Sequence, residues 1–499
     1  MQVPSGPTIT LRDVEKAVAK LDKLTSVGMR KTRLPGLAIA VVFQDRLVYA
    51  KGFGVREVGR NTPINSNTVF QLASSSKSLA STVLASLVGQ GTVSWDSRIA
   101  SLDPSFAMFD PAVTPNVTLR DFLCHRSGLP HEAGDLLESL GFTRQEILYR
   151  LRYQPPVGTF REYYAYTNFG YTEGAIAVAK AVRVPWESLC EKLLYRPLGM
   201  QSTSSRYSDF EARRNRVTGH VLVGKKWIQQ PDRNPDAQSP AGGVTSSVKD
   251  VAKWMRLQIN GGLFEGQRIV DQAALSETHK EQMARATGGF YGLGWNVGHD
   301  PEGRLRLSHS GAFAAGAAAC FALVPEEQLG IVVVSNGEPI GVTEGLQFTF
   351  LDNAIYGAPT KDWLAVFKKA YDDLREEWLA NSKKYDHPPV FPVPPRENAA
   401  YLGTYTNDFY GDISIKNSTG GGLAIVEGPL KKTFPMSHYD GNTFTYFTEG
   451  GSSTGDAGIY FQIGSDGHGE SVRVEDLDIN KTGTFVRVPN PSPTEHPAQ

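Results

Sequence analysis

Ser74-Ser-Ser-Lys77 sets a hydroxyl and a primary amine three residues apart. On a helix those two side chains share a face, so the amine reaches the hydroxyl. A helix N-terminus favours a developing alkoxide, and burial would lower the lysine toward usable base strength. A serine beside an amine is an alternative to the Ser-His pair for nucleophilic catalysis. The same spacing recurs at Ser246-Ser-Val-Lys249, and serine at a helix start is also an ordinary N-cap.

Tyr166-Thr-Asn168 is the second candidate. A tyrosine near an ammonium can relay protons, and the amide beside it can hold a substrate carbonyl or the lysine. The string recurs at Tyr405-Thr-Asn407, and Tyr166 sits among Tyr163, Tyr164 and Tyr171, a cluster that also reads as packing. His309-Ser310-Gly311 is the third candidate. Its glycine lets an acyl group approach the strand backbone, and the Ala312 N–H can pair with the Ser74 N–H as an oxyanion hole. Lys481-Thr-Gly483 is a rival to this third string, but with Asn480 it reads as a hairpin turn.

The elements that must hold these residues follow from periodicity. Val14, Val18, Leu21 and Leu24 predict an amphipathic helix over 11–27. Leu37–Phe43 and Arg46–Tyr49 read as two strands joined at Gln44-Asp45. Ser74–Val88 is apolar around most of its circumference, which predicts a buried helix. Strands return at Leu305–Ser308, Ala317–Val324 and Gly330–Val334, and a charged helix spans Lys361–Leu379. Five prolines between Pro388 and Pro395 mark a linker. Beyond it, alternating strands at 412–416, 423–426, 443–447, 459–463, 472–474 and 484–488 suggest a small antiparallel sandwich or barrel.

The chain has 499 residues, with 51 Lys+Arg against 52 Asp+Glu. At roughly 150 residues per domain that leaves room for about three units. Balanced charge argues against nucleic acid or an anionic membrane as the main partner. No apolar run is long enough for a membrane helix. Cys124, Cys190 and Cys320 form no C-x-x-C pair and read as buried small hydrophobes. No phosphate-loop or zincin string occurs, so no cofactor or metal is expected. Gly451-Ser-Ser-Thr-Gly455 spells a nucleophile elbow, but in a polar glycine-rich stretch without the required strand and helix. Met1–Pro7 lacks the charged start and apolar stretch of a signal peptide.

Taken together and in order, Ser74–Lys77, Tyr166–Asn168 and His309–Gly311 resemble the S-x-x-K, Y-x-N and H/K-x-G set of the serine β-lactamase-like family. That family includes class C β-lactamases, D-alanyl-D-alanine carboxypeptidases, D-aminopeptidases and esterases. Leu119–Leu129, Pro197–Met200, Ala241-Gly-Gly243 and Tyr291–Trp295 are also similar to family segments, and the resemblance spans about residues 30–355. It implies an α/β (α+β) fold, an antiparallel sheet flanked by helices plus an all-helical region. The C-terminal part resembles the lipocalin-like β-barrel appended to some D-aminopeptidase-like members. The implied layout is a hydrolase domain over 1–386, a Pro-rich linker over 387–396, a β-barrel over 397–490 and a disordered tail over 491–499.

The resemblance also implies a function. Ser74 would be the nucleophile, with Lys77 and Tyr166 sharing the proton transfers. Asn168, His309, Gly311 and Ala312 would bind the substrate or its oxyanion. Two departures matter. His309 stands where β-lactamases of this group usually carry lysine, which favours an esterase or peptidase over antibiotic hydrolysis. The segment Val157–Ala165 is longer than usual, so Tyr163 or Tyr164 is an alternative register, although neither has Asn two residues on. His125, in Cys124-His-Arg-Ser-Gly, reads as a loop-organising residue. The expected substrate is a small molecule or short peptide. The family favours a periplasmic or secreted location.

Overall fold

A computed structural model describes residues 9–448 and 455–489. The elbow string from Gly451 to Thr454, the expected tail over 491–499 and the Met1–Pro7 start lie outside the described residues. The chain groups into two compact units: Met1–Glu132 with Pro156–Leu374, and Ala133–Pro155 with Arg375–Gln499.

The first unit is built on an eight-stranded antiparallel sheet. Its strands run in the order Arg46–Gly54, Gly36–Phe43, Leu329–Ser335, Ala317–Val324, Leu305–Phe313, Asn296–His299, Phe290–Tyr291 and Met283–Ala284. Every residue of Gly36–Phe43, Ala317–Val324 and Leu329–Ser335 is buried. Helices cover both faces, which is why these strands read as continuous apolar runs instead of alternating ones. On one face the helices Leu11–Thr32 and Val342–Ile355 contribute Val14, Leu21, Leu346 and Phe350 to a core shared with Ile39, Cys320 and Ile331. On the other, Trp254 of the helix Val248–Ile259 stacks on Trp295 at 5.4 Å and meets Phe321 edge-on.

The helix Ser76–Gly89 is buried from Ser76 to Leu87, as its apolar circumference predicts. It begins two residues later than its sequence pattern, because Ala73–Ser75 forms a 3-10 turn. Ala73 has φ 45°, a left-handed conformation that a non-glycine residue adopts only under constraint. Cys124, Cys190 and Cys320 are buried and unpaired with one another. Among the described residues, no helix is long and apolar enough to cross a membrane.

The second unit contains a closed antiparallel barrel of eight strands. Two of them, Gly403–Asn407 and Lys432–Asp440, have no counterpart among the runs read from sequence. Lys432–Asp440 carries Pro435, which removes one ladder donor and disguises the alternation of buried Phe434 and Met436. Residues 133–155, which the sequence reading places in the larger body, pack with the barrel. A Cβ on Gly428 would meet the Leu140 carbonyl at 2.5 Å. Lys432 Nζ donates to Ser139 O at 3.2 Å, and Arg150 Nη1 donates to Asp408 O and Phe409 O at 2.8 and 3.0 Å.

Candidate active site

Ser74 lies on the 3-10 turn, half-buried, one helical turn before Lys77. Lys77 is completely buried. Its Nζ donates to Ser74 Oγ at 3.3 Å, Asn168 Oδ1 at 2.7 Å and Ala241 O at 3.0 Å. A buried ammonium is tolerable only with such acceptors around it, and these bonds aim it at the serine oxygen. The rest of the helix start is locked by its own serines. Ser78 Oγ donates to Gly294 O at 2.6 Å, and Ser76 Oγ accepts the Val244 N–H at 2.9 Å. The family-like segments Ala241-Gly-Gly243 and Tyr291–Trp295 thus border the helix that follows Ser74.

Tyr166 lies with its ring under the Lys77 ammonium, 4.5 Å from Nζ to centroid. Thr167 caps the helix Asn168–Val182 by accepting the Gly170 N–H, which places the Asn168 amide at the helix start beside Lys77. Tyr163 is 53% exposed, and the Tyr164 ring packs against His125 and Tyr291. The Lys77 ammonium lies over the rings of Tyr166 and Tyr171, 4.5 and 5.8 Å from the centroids. The long segment before Tyr166 is anchored by Arg161, whose Nη2 donates to Asp121 Oδ2 at 2.8 Å. Arg126 Nε donates to the other Asp121 oxygen at 2.7 Å. Burial alone would raise the Asp121 carboxyl, but the two guanidinium groups and Thr118 hold it below the usual range.

The strand Leu305–Phe313 brings the third string to the serine. A Cβ on Gly311 would sit 2.2 Å from Leu72 O and 2.7 Å from Ser74 N, so only glycine permits this approach. Ala312, next along the strand, is exposed, on the register pair with Ala318. His309 is buried. Its Nδ1–H donates to Ser310 O at 2.7 Å and its Nε2 accepts from the Tyr291 hydroxyl at 2.8 Å, an arrangement that suits a neutral ring. Burial first, and the Lys77 charge second, push His309 down to about 3. It therefore carries no charge at neutral pH, unlike a lysine in its place.

The sequence reading assigns no separate role to two neighbours of Lys77 and His309, the Ala241 carbonyl and Tyr291, while His125, read as loop-organising, accepts the Ala165 and Thr167 N–H groups. Tyr291 lies inside the Tyr291–Trp295 segment with no motif of its own, and a main-chain acceptor leaves no side-chain signal. The decoys, by contrast, are spent elsewhere. Ser246 Oγ shares a hydrogen bond with Thr203 Oγ1 at 2.7 Å, and Ser247 caps the helix Val248–Ile259. Among the described residues, no group of three or more His, Cys, Asp and Glu is arranged to hold a metal ion.

Comparison with known proteins bears on the family and the fold. Residues 387–487 match a domain of unknown function, DUF3471. Unguisins hydrolase ungD of Aspergillus violaceofuscus is 26% identical over 458 residues, covering 83% of this chain and 78% of that one. The D-alanyl-D-alanine-carboxypeptidase/endopeptidase AmpH of Escherichia coli (strain K12) is 25% identical over 316 residues, 61% of this chain and 80% of that one. An octameric penicillin-binding protein homologue from Pyrococcus abyssi superposes with TM-score 0.60 at 21% identity, over 94% of this chain and 100% of that one, and so shares the fold. Residues 21–352, the segment that carries all three motif strings, match the Beta-lactamase family, and the chain belongs to it.

Proposed function

We propose that the protein is a serine acyl hydrolase that works through a Ser74 acyl-enzyme on small esters or amides, D-amino-acid peptides among them. The observation that carries this reading is the buried Lys77 ammonium, bonded at once to Ser74 Oγ and Asn168 Oδ1. Ser74 Oγ attacks the substrate carbonyl carbon, and its proton passes to the Lys77–Tyr166 pair, which takes it in the form that holds one proton fewer than ammonium plus phenol. The Ser74 and Ala312 N–H groups hold the resulting oxyanion, with Gly311 giving the substrate room against the strand. Collapse of the tetrahedral species breaks the ester or amide bond, and the pair returns the proton to the departing alcohol or amine. Water then attacks the acyl-enzyme, gives its proton to the same pair, and Ser74 leaves with a proton as the carboxylic acid product is released.

The neutral His309 bears on the substrate class. β-Lactams and carboxypeptidase substrates present a carboxylate close to the scissile bond, and a charged lysine would attract it. An uncharged imidazole offers no such attraction, which favours esters and internal or amidated peptides. The names of ungD and AmpH, a hydrolase and a carboxypeptidase/endopeptidase, support acyl hydrolysis as the reaction type.

The test is a substrate panel of p-nitrophenyl esters, D- and L-amino acid p-nitroanilides and a chromogenic cephalosporin, run on the wild type and Ser74→Ala. Hydrolysis by the wild type that disappears in Ser74→Ala is the expected result. Near-normal hydrolysis by the variant would sink the assignment. A lasting mass increase with penicillin, without product release, would point to a penicillin-recognising protein with little turnover.

A further inference from the structure

His125 is bound to the main chain on both sides of Tyr166. Its carbonyl oxygen accepts the Ala165 N–H at 2.9 Å, and its Nδ1 accepts the Thr167 N–H at 3.2 Å. Its ring lies 4.4 Å from the Tyr166 ring, centroid to centroid, tilted by 40°. His125 is itself held in the left-handed region, with φ 61°, and is 1% exposed. Such a conformation costs a non-glycine residue about 1 kcal/mol or more, so it persists only where the surroundings impose it.

The hydrogen bonds also settle the tautomer. Because Nδ1 accepts, a neutral ring carries its proton on Nε2. Nε2 is buried and has no hydrogen-bond partner; the ring lies among Tyr164, Tyr171 and Tyr291. Burial first, and then the charges of Lys77, His309 and His131, push His125 well below the ordinary histidine range. The group that brackets Tyr166 is thus an uncharged acceptor, with no proton to exchange at neutral pH.

We propose that His125 is a positioning residue that fixes the backbone on either side of Tyr166 and so sets the phenol beside the Lys77 ammonium. The inference rests on the reading of Tyr166 as a proton carrier. Packing alone would need only a ring of similar size at this position. The acceptor role needs a polar atom where Nδ1 stands, which asparagine supplies through Oδ1 while tolerating the left-handed backbone. Glutamine sets its acceptor one atom further out, and phenylalanine has the ring without the acceptor.

The experiment compares His125→Asn, His125→Gln, His125→Phe and Tyr166→Phe, each below its own melting temperature. Readouts are kcat and KM on a p-nitrophenyl ester and, independently of substrate, the rate of Ser74 labelling by a fluorophosphonate. Loss of a general acid–base group typically costs about a hundredfold or more, so Tyr166→Phe, His125→Phe and His125→Gln are expected to fall by about that factor in kcat. Their KM should stay within about threefold, and His125→Asn should retain kcat within about tenfold of the wild type. Equal losses in the Asn and Phe variants, or wild-type kcat in the Phe variant, would overturn the positioning role. If His125→Phe fails to fold, the Asn–Gln pair decides on the same terms. A Tyr166→Phe variant with wild-type kcat would instead remove the proton-carrier reading underneath. An impaired Tyr166→Phe beside an unimpaired His125→Phe removes only the positioning.

Discussion

Tyr166-Thr-Asn168 precedes and opens a buried helix in the first unit, whereas Tyr405-Thr-Asn407 ends a barrel strand in the second. In the barrel the Tyr405 hydroxyl donates to Tyr401 O at 2.8 Å and the ring is fully buried. Asn407 Nδ2 donates to Thr482 O at 2.8 Å, and its Oδ1 accepts the Tyr410 N–H at 2.6 Å. Both ends of that amide are committed to backbone, which closes the barrel ladder and a turn. Asn168 turns its Oδ1 to a buried ammonium from a helix 91 residues away in sequence. The same three residue types serve as a staple in one place and as part of a charged pocket in the other. What separates them is the partner that the fold delivers.

A second contrast concerns buried charge. Lys77 is surrounded by three oxygen acceptors. Glu427 in the barrel is 3% exposed with Oε1 unpartnered, and burial pushes its carboxyl up to about 7 although Tyr446 opposes the shift. At Glu427 desolvation outweighs the Tyr446 and Lys432 contributions, and the carboxyl tends to the neutral form.

The comparison can be broken most decisively at the serine. Ser74→Ala should lower hydrolysis by about ten-thousandfold or more, the scale on which removal of a catalytic nucleophile acts. Ser246→Ala, in the decoy string, should leave kcat unchanged in the same assay. Gly311→Ala is next. Its Cβ would fall 2.2 Å from Leu72 O, which forces the strand away from the nucleophile turn. A displacement of that kind should cost about a hundredfold in kcat/KM, with a native circular dichroism spectrum.

Asn168→Ala and Asn407→Ala then set the two strings side by side. The first should lose about tenfold to a hundredfold in kcat, because the ammonium loses an acceptor that holds it. The second should leave kcat alone and lower stability by about 1–3 kcal/mol through unpaired backbone groups, read by chemical denaturation. Equal activity losses in both would erase the distinction drawn between the strings.

The smallest effect is a pair of opposite pH slopes. His309 is pushed from 6.5 down to about 3, so the unfolded chain binds the extra proton between those values. Its contribution to stability is present above pH 6.5 and is lost as pH falls toward 3. Glu427 moves from 4.5 up to about 7, so here the folded chain holds the extra proton. That contribution is present below pH 4.5 and is lost as pH rises through 7. In thermal melts across pH 4.5–7, Glu427→Gln should gain stability with rising pH relative to the wild type. Parallel curves for the two proteins would contradict the raised titration of the buried Glu427 carboxyl.

Much of the candidate site could be proposed from sequence because its residues stand in short strings on strongly patterned elements. The apolar circumference of Ser76–Gly89 and the continuous strands Leu37–Phe43 and Ala317–Val324 announced themselves through burial on all sides. Two barrel strands did not. Pro435 masks the alternation of one, and Gly403–Asn407 is a short strand whose Tyr-Thr-Asn string drew attention as a motif instead. Residues 133–155 were read as part of the larger body, since nothing local shows that Leu140 and Arg150 will pack with a barrel some 270 residues further on.

By itself the sequence determined which residue types are available and how they are spaced along each element. Spacing of three on a helix is enough to pair Ser74 with Lys77, because helical geometry is local. Motif order and the family resemblance already point to Ser74 and Tyr166. Only the tertiary structure brings Lys77 Nζ to both Ser74 Oγ and Asn168 Oδ1, gives Ser246 and Tyr405 other partners, and sets His125 and Tyr291 beside Tyr166. Those placements depend on contacts between distant segments, and on burial that makes a hydrogen bond to a charge worth keeping. Neither has a signature in a string of residues.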